Sequence, residues 1–256
     1  MGALNRAGYE ASAGDYVMLL NDDVIVRTPG WDATALACFR RFPDPIVLVH
    51  VNDTLFRDRL CTFPLTTRAF CERAGGICPP EYVRYRIDDH IEDVFNLLAV
   101  LGRRRTVYLP DVVFQHCNTI ERPEGDRVYA SDPAVLALDA PRFAALFPAR
   151  KELALRLLDV IEGGSDPGVT AARRRMLDGV ADPFGSRTPG RQFVVRAPWR
   201  RRLAGLPRDW TEMAAALLGR ARVRVRKDGY RGLAAALGRR FARRLAGGAA
   251  GQPAGT

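Results

Sequence analysis

Three places in the chain gather side chains able to do metal or acid–base chemistry. The first is Asn21-Asp22-Asp23, directly after the apolar run Tyr16-Val17-Met18-Leu19-Leu20. A carboxylate at the end of a buried strand is costly unless something pairs with it. Two adjacent acids there suit a hard divalent cation, Mg²⁺ or Mn²⁺. The same residues also suit a simple turn, since Asn and Asp bond readily to their own backbone. The second place is His116, which closes the extended stretch Val112-Val113-Phe114-Gln115 and lies beside Asn118. A lone His is more often structural than a ligand. The third is Asp88-Asp89-His90-Ile91-Glu92-Asp93. Four acids opening a helix favour its positive N-terminal end and need do no more than cap it.

The elements around these residues follow from periodicity and turn signals. Residues 3–13 read as a short helix ending at Gly14. Residues 16–20 form a short continuous apolar run, as expected of a strand buried on both faces. Val24-Ile25-Val26 continues extended, and Thr28-Pro29-Gly30 turns the chain into a helix from Trp31 to about Arg41. Residues 46–51 form a second buried strand. A helix over 66–74 ends at Gly75-Gly76, and one from Asp89 to Leu101 is closed by Gly102. Residues 106–109 and 112–114 are two β pieces separated by Pro110, and they deliver His116. Buried strands alternating with helices predict an α/β layered sheet.

After about residue 125 the pattern is helical, over 133–147, 150–162, 169–179 and 209–219. The expected organisation is therefore an α/β region over 1–125, a helical Arg-rich appendage over 126–246, and a tail over 247–256 with disordered composition. Charge divides along similar lines. Residues 1–149 hold 16 Lys+Arg against 20 Asp+Glu, whereas residues 150–256 hold 23 against 9. Acidic chemistry belongs to the first part and a polyanion-attracting surface to the second. The segment over 231–246 reads as a basic amphipathic helix, in which Leu233, Leu237, Phe241 and Leu245 form an apolar stripe flanked by arginines. That pattern fits a helix lying on an anionic membrane surface, and equally a solvated helix packing its stripe on the domain. No reading motif or aromatic platform points to a specific nucleic acid.

Cysteines number five, an odd count, and none is spaced CxxC. Reduced thiols and a cytoplasmic location are the simpler expectation. No stretch approaches the ~20 apolar residues of a membrane span, so membrane contact would be peripheral, at the inner face. The Arg-, Ala- and Gly-rich composition fits a GC-rich bacterial gene.

Taken in order, these segments carry a resemblance. The string GALNRAGYEASAGDYVMLLNDDVIVRTPGWD resembles the middle of a family-2 glycosyltransferase of GT-A fold. DDHIEDVFNLLAVLG followed by VYLPDVVFQH is similar to that family's acidic helix start, its helix ending in Gly, its Pro-containing strand and its terminal His. The resemblance spans roughly residues 2–120 and implies part of a GT-A layered sheet. It implies that Asp23 ligates a divalent cation, with Asp22 or Asn21 assisting and His116 as a further ligand. The donor would be a nucleotide-diphosphate sugar, with Asn5, Asn21, Asp22 and Asp23 on its side of the site, and the acceptor a saccharide or lipid-linked hydroxyl. An acid at the start of the 89–101 helix would be the general base of an inverting displacement. Asp89 is the first choice and Asp88 the second. Counting back from Gly102 adds Asp93.

Two departures qualify the resemblance. The metal motif begins with an amide, Asn21, in place of a carboxylate. The family's opening strand, PTYN-like turn and second acidic strand have no counterpart before Met1, so the expectation is an N-terminally truncated metal- and acceptor-binding half. The alternative is a non-catalytic remnant acting as a membrane-surface or protein interaction module. A metal-dependent hydrolase or phosphotransferase lacks support, because no Gly-rich phosphate loop is present.

Overall fold

The computed structural model describes residues 1–117, 132–164, 166–180 and 192–196. The chain divides into two compact units, Met1–Gly205 and Leu206–Thr256. The second unit lies outside the described residues, and with it the helices expected over 209–219 and 231–246 and the tail over 247–256. Asn118 lies outside them too.

The first unit is mixed α/β. Its elements are α1 (Gly2–Ala11), β1 (Tyr16–Met18), β2 (Val24–Val26), α2 (Trp31–Phe39), β3 (Leu48–Asn52), β4 (Leu65–Thr67), α3 (Arg68–Ala74), α4 (Ile87–Val100) and β5 (Thr106–His116). After these come α5 (Asp132–Ala145), α6 (Phe147–Glu162), α7 (Pro167–Asp178) and β6 (Gln192–Val194). The sheet runs β1-β4-β3-β5-β2, with β6 also paired to β5. β3 and β5 are parallel, as are β5 and β6, while β1/β4, β3/β4 and β2/β5 are antiparallel.

β3 sets the layering. Ile46 and Leu48 enter one apolar cluster with α3, α4 and α6, while Val47, Val49 and Val51 enter another with α2 and β5. Alternate side chains thus feed two cores, as the period of 2 requires, and the apolar run is continuous because both faces are covered. β1 is different. The run over 16–20 suggested a strand buried on both faces, yet Tyr16 and Leu20 are 41% and 49% exposed. The strand ends the sheet order, so only β4 covers it.

Pro110 does not split β5 in two. It sits where the strand changes partners, from β3 and β6 at Thr106–Leu109 to β2 at Phe114–His116. A proline has no N–H for a ladder, and here the β3–β5 register slips between Val51 and Asn52. Asn52 Nδ2 donates to the Pro110 carbonyl across the slip, at 3.1 Å. β4 was not anticipated, and α3 begins at Arg68 rather than 66. Thr67 caps it, accepting from the Phe70 N–H, as a Thr N-cap does.

α4 is the central helix. Every residue from Asp89 to Leu98 is buried, since the helix contributes to the same core as the strands on one side and α6 on the other. Phe143, Phe147, Leu153, Leu157 and Leu177 of the later helices share that core. The packing therefore continues across the boundary expected near residue 125.

Candidate active site

The β2–β5 register places Val24 opposite His116, so the residue before Val24 meets the end of β5. Cys117 N–H donates to the Asp23 carbonyl at 2.7 Å. The two side chains then face each other, His116 Nε2 lying 3.3 Å from Asp23 Oδ1. Asn21 Nδ2 approaches the same Nε2 at 3.4 Å. A single ring nitrogen cannot both accept from Asn21 and donate to Asp23. With Nε2 unprotonated, its lone pair and the carboxylate converge on one point, the arrangement two ligands of a cation adopt. Two adjacent ligands at ~2.1 Å around an octahedral ion stand ~3 Å apart, close to this spacing. The donor set, one carboxylate and one imidazole, therefore fits a small divalent cation with most positions left open. Asp22 is exposed at the turn and does not join the pair. Among the described residues no group of three His, Cys, Asp or Glu could hold a metal.

The four acids of α4 occupy distinct surroundings. Arg86 precedes the helix with φ +67 and reaches forward, its guanidinium 2.9 Å from Asp89 Oδ2. Asp88 is half-buried, and its Oδ1 accepts the Asp89 N–H at 2.9 Å. Burial first, and the neighbouring Asp89 carboxylate second, push the Asp88 carboxyl up to about 7. Glu92 is buried, and its Oε2 accepts the Cys61 N–H at 3.0 Å. Asp93 turns the other way, into the core, where Arg150 Nε donates to Oδ2 at 2.6 Å. A carboxylate held by a guanidinium with no exposed surface has no access to an acceptor hydroxyl.

Asn5 lies on α1, half-buried, and hydrogen-bonds toward the Cys78 thiol. All five cysteines are free.

Two polar residues that the sequence reading did not single out prove central. Asp53 is 1% exposed at the end of β3. Its Oδ1 accepts the N–H groups of Leu55, Phe56 and Arg57 at 3.0, 2.8 and 2.6 Å, and its Oδ2 accepts the Thr62 hydroxyl at 2.7 Å. Asp139 likewise takes the N–H groups of Val83, Arg84 and Tyr85, fixing the approach to α4. Burial raises its carboxyl, but those amides and Arg142 outweigh it and hold the group below the usual range. A signal for Asp53 was present: Asn52-Asp53 closes the apolar run Ile46–Val51, just as Asn21-Asp22-Asp23 closes 16–20.

Comparison with known proteins gave no match, whether to a family model, a curated protein or a solved structure.

Proposed function

We propose that the chain is the metal- and acceptor-binding part of a GT-A-like, family-2-type glycosyltransferase. It would transfer a sugar from a nucleotide-diphosphate sugar to an acceptor hydroxyl, with inversion. The observation that carries this reading is the meeting of Asp23 and His116, 3.3 Å apart although they lie far apart in the sequence. Asp23 and His116 would hold Mn²⁺ or Mg²⁺, with Asn21 beside them, and Asp22 would be free to meet the donor from its exposed position. When bound, the cation would neutralise the diphosphate and stabilise its departure.

The general base is best assigned to Asp88. Asp89, the first choice on sequence, is engaged by Arg86, whereas Asp88 is pushed up to about 7, near working pH. A base there takes a proton most effectively. Asp88 would accept the acceptor's O–H proton as that oxygen bonds to the anomeric carbon. The bond from that carbon to the diphosphate oxygen breaks in the same step, and the nucleoside diphosphate leaves with the electron pair. The acceptor would be a saccharide or a lipid-linked hydroxyl, the latter brought close if the basic segment over 231–246 rests on an anionic membrane. No helix among the described residues is long and apolar enough to cross a membrane.

Calorimetry with Mn²⁺ tests the reading. Asp23→Ala and His116→Ala should each weaken binding by ~10-fold or more, as loss of one of two protein ligands requires. Equal affinity in wild type and both variants would remove the metal centre. One observation favours a second reading, a non-catalytic interaction module: the described residues bring together only two of the ligands. Mn²⁺ bound without any change on adding a nucleoside diphosphate would support that module.

A further inference from the structure

The candidate cation ligands and the α4 acids belong to different elements, and one segment touches both. It begins at Asp53, whose carbonyl accepts the His116 N–H at 3.3 Å. It ends at Phe63, whose ring stands edge-on to the His116 imidazole with centroids 5.2 Å apart. Between them, the Cys61 N–H donates to Glu92, one turn along α4 from Asp88 and Asp89.

The segment is not held by apolar packing at its start. Phe56, Arg57, Asp58 and Arg59 are exposed. Two of its non-glycine residues, Thr54 and Arg57, have φ of +69 and +59. Such backbone persists only where its surroundings over-determine it. The Asp53 carboxylate makes most of the bonds that hold it, gathering three consecutive N–H groups on one oxygen and closing the turn through the Thr62 hydroxyl on the other, while Asn52 Oδ1 accepts the Thr54 N–H at 2.9 Å.

We propose that Asp53, with Glu92, is a positioning residue of this site. Asp53 clamps residues 53–63 into a strap that sets the His116 ring and the acidic start of α4 in one frame. What the frame is used for rests on the glycosyltransferase reading; the clamp itself rests on the contacts. Removing the carboxylate leaves the three N–H groups without their acceptor, and the strap relaxes out of its left-handed residues. Phe63 then shifts from the imidazole, and His116 loses its fixed approach to Asp23. An amide in place of the acid keeps an acceptor oxygen for the three N–H groups. The Thr62 hydroxyl can reverse its role and accept from the new NH₂.

The test uses the full chain, with Asp53→Ala against the conservative Asp53→Asn, and reads three quantities. These are the His116 ring proton shifts by NMR, the affinity for Mn²⁺ by electron paramagnetic resonance, and the melting temperature. The shifts carry the ring-current effect of Phe63, and Phe63→Leu supplies the value expected without it. In Asp53→Ala the His116 shifts should move toward those of Phe63→Leu, and Mn²⁺ affinity should fall by ~10–100-fold, the usual effect of losing an outer-shell partner. Asp53→Asn should restore both. A lower melting temperature with unchanged His116 shifts and Mn²⁺ affinity would show that Asp53 serves the fold alone, and would overturn the proposal. If Asp53→Ala does not fold, Thr62→Val removes one bond of the clamp and should move the shifts the same way by less. Unmoved shifts in folded Thr62→Val would be equally fatal. If the wild type binds no Mn²⁺, the metal reading falls, and the His116 shifts still decide the clamp.

Discussion

Asp88 and Asp93 stand five positions apart on one helix, the first half-buried and the second buried, and their circumstances are opposite. Asp93 meets Arg150, a guanidinium with no exposed surface that also donates to the Phe143 carbonyl at 2.8 Å and lies 3.9 Å over the Phe143 ring. Asp88 meets another carboxylate, Asp89, and its charge is opposed by its surroundings. The first arrangement satisfies a buried charge and fixes α4 to α6. The second leaves a charge poorly compensated, which is the state a proton acceptor needs. Burial alone does not tell structure from chemistry; the sign of the neighbour does.

The largest effect should come from breaking the compensated pair. Arg150→Ala leaves Asp93 buried and uncompensated, and should cost ~3–5 kcal/mol. Replacing both partners, Arg150→Met with Asp93→Leu, should recover most of that loss, because two fitted apolar groups substitute well for a buried pair. Denaturant unfolding of the single and double variants checks this. A double variant no better than the single would mean that the pair's remaining contacts, to Phe143 and His90, carry the stability.

Asp88→Asn is the matching test of the uncompensated acid. Under the proposed function, transfer should fall by ~10²–10⁴, the usual worth of a general base. Asp89→Asn should fall by less, since Asp89 is engaged by Arg86. Stability should move the other way, and its sign follows from linkage. The folded carboxyl titrates at about 7 against an ordinary 3.8. Wild-type stability contributed by the neutral form is therefore fully present below about 3.8 and lost as pH rises through about 7. Asp88→Asn should flatten that decline and melt higher than wild type at pH 8, where 1 kcal/mol amounts to ~2–4 °C. A variant that melts lower at pH 8 would place the charge of Asp88 among stabilising groups and undo the contrast with Asp93.

Much of this frame can be read in the sequence, and what cannot be read has a physical cause. β3 and α4 declare themselves, because a buried strand and a long helix with an acidic start and Gly102 at its end carry strong local signals. The ordered resemblance named Asp23 and His116 together, but their meeting is a matter of strand pairing between distant segments, which neither residue's neighbourhood states. β4 is three residues long, too short to show alternation. The exposure of β1 depends on what pairs with its outer edge, which its own composition does not state. Arg150 looked like one arginine among many; its role comes from Asp93, 57 positions away. Asp53 was within reach, but an acid that binds amides and an acid that binds a cation have the same local spelling.

His90 sharpens the comparison by supplying the opposite slope two positions from Asp88. Its Nδ1 faces the Tyr82 hydroxyl at 3.0 Å and Arg150 at 3.5 Å. Burial first, and Arg150 second, push the imidazole down to about 3 from an ordinary 6.5. The stability linked to neutral His90 is present above 6.5 and lost as pH falls through that window toward 3. His90→Gln keeps a side chain that can accept from Tyr82 and cannot charge, so its deficit relative to wild type at pH 7 should narrow by pH 4. A deficit constant across that range would mean that His90 charges as easily folded as unfolded.

The smallest effect should come from the pair outside the helix core. Arg174 on α7 reaches Glu152 on α6 with both nitrogens of its guanidinium fork, and in geometry the contact rivals that of Arg150. It differs in exposure, with the two side chains 49% and 46% accessible. The Arg174 hydrogen bond holds the Glu152 carboxyl below its ordinary value. Linkage then gives the contact a contribution present above that value and lost as pH falls. Water and salt screen it, and ordering two long side chains opposes it. Arg174→Ala should therefore melt indistinguishably from wild type at neutral pH in moderate salt. Any difference seen at low salt should fade as salt is added, whereas the Arg150→Ala loss should not. If Arg174→Ala costs as much as Arg150→Ala, hydrogen-bond geometry outranks burial in this fold. The contrast between Asp88 and Asp93 would then have to be rebuilt on contact geometry instead of on solvent and neighbouring charge.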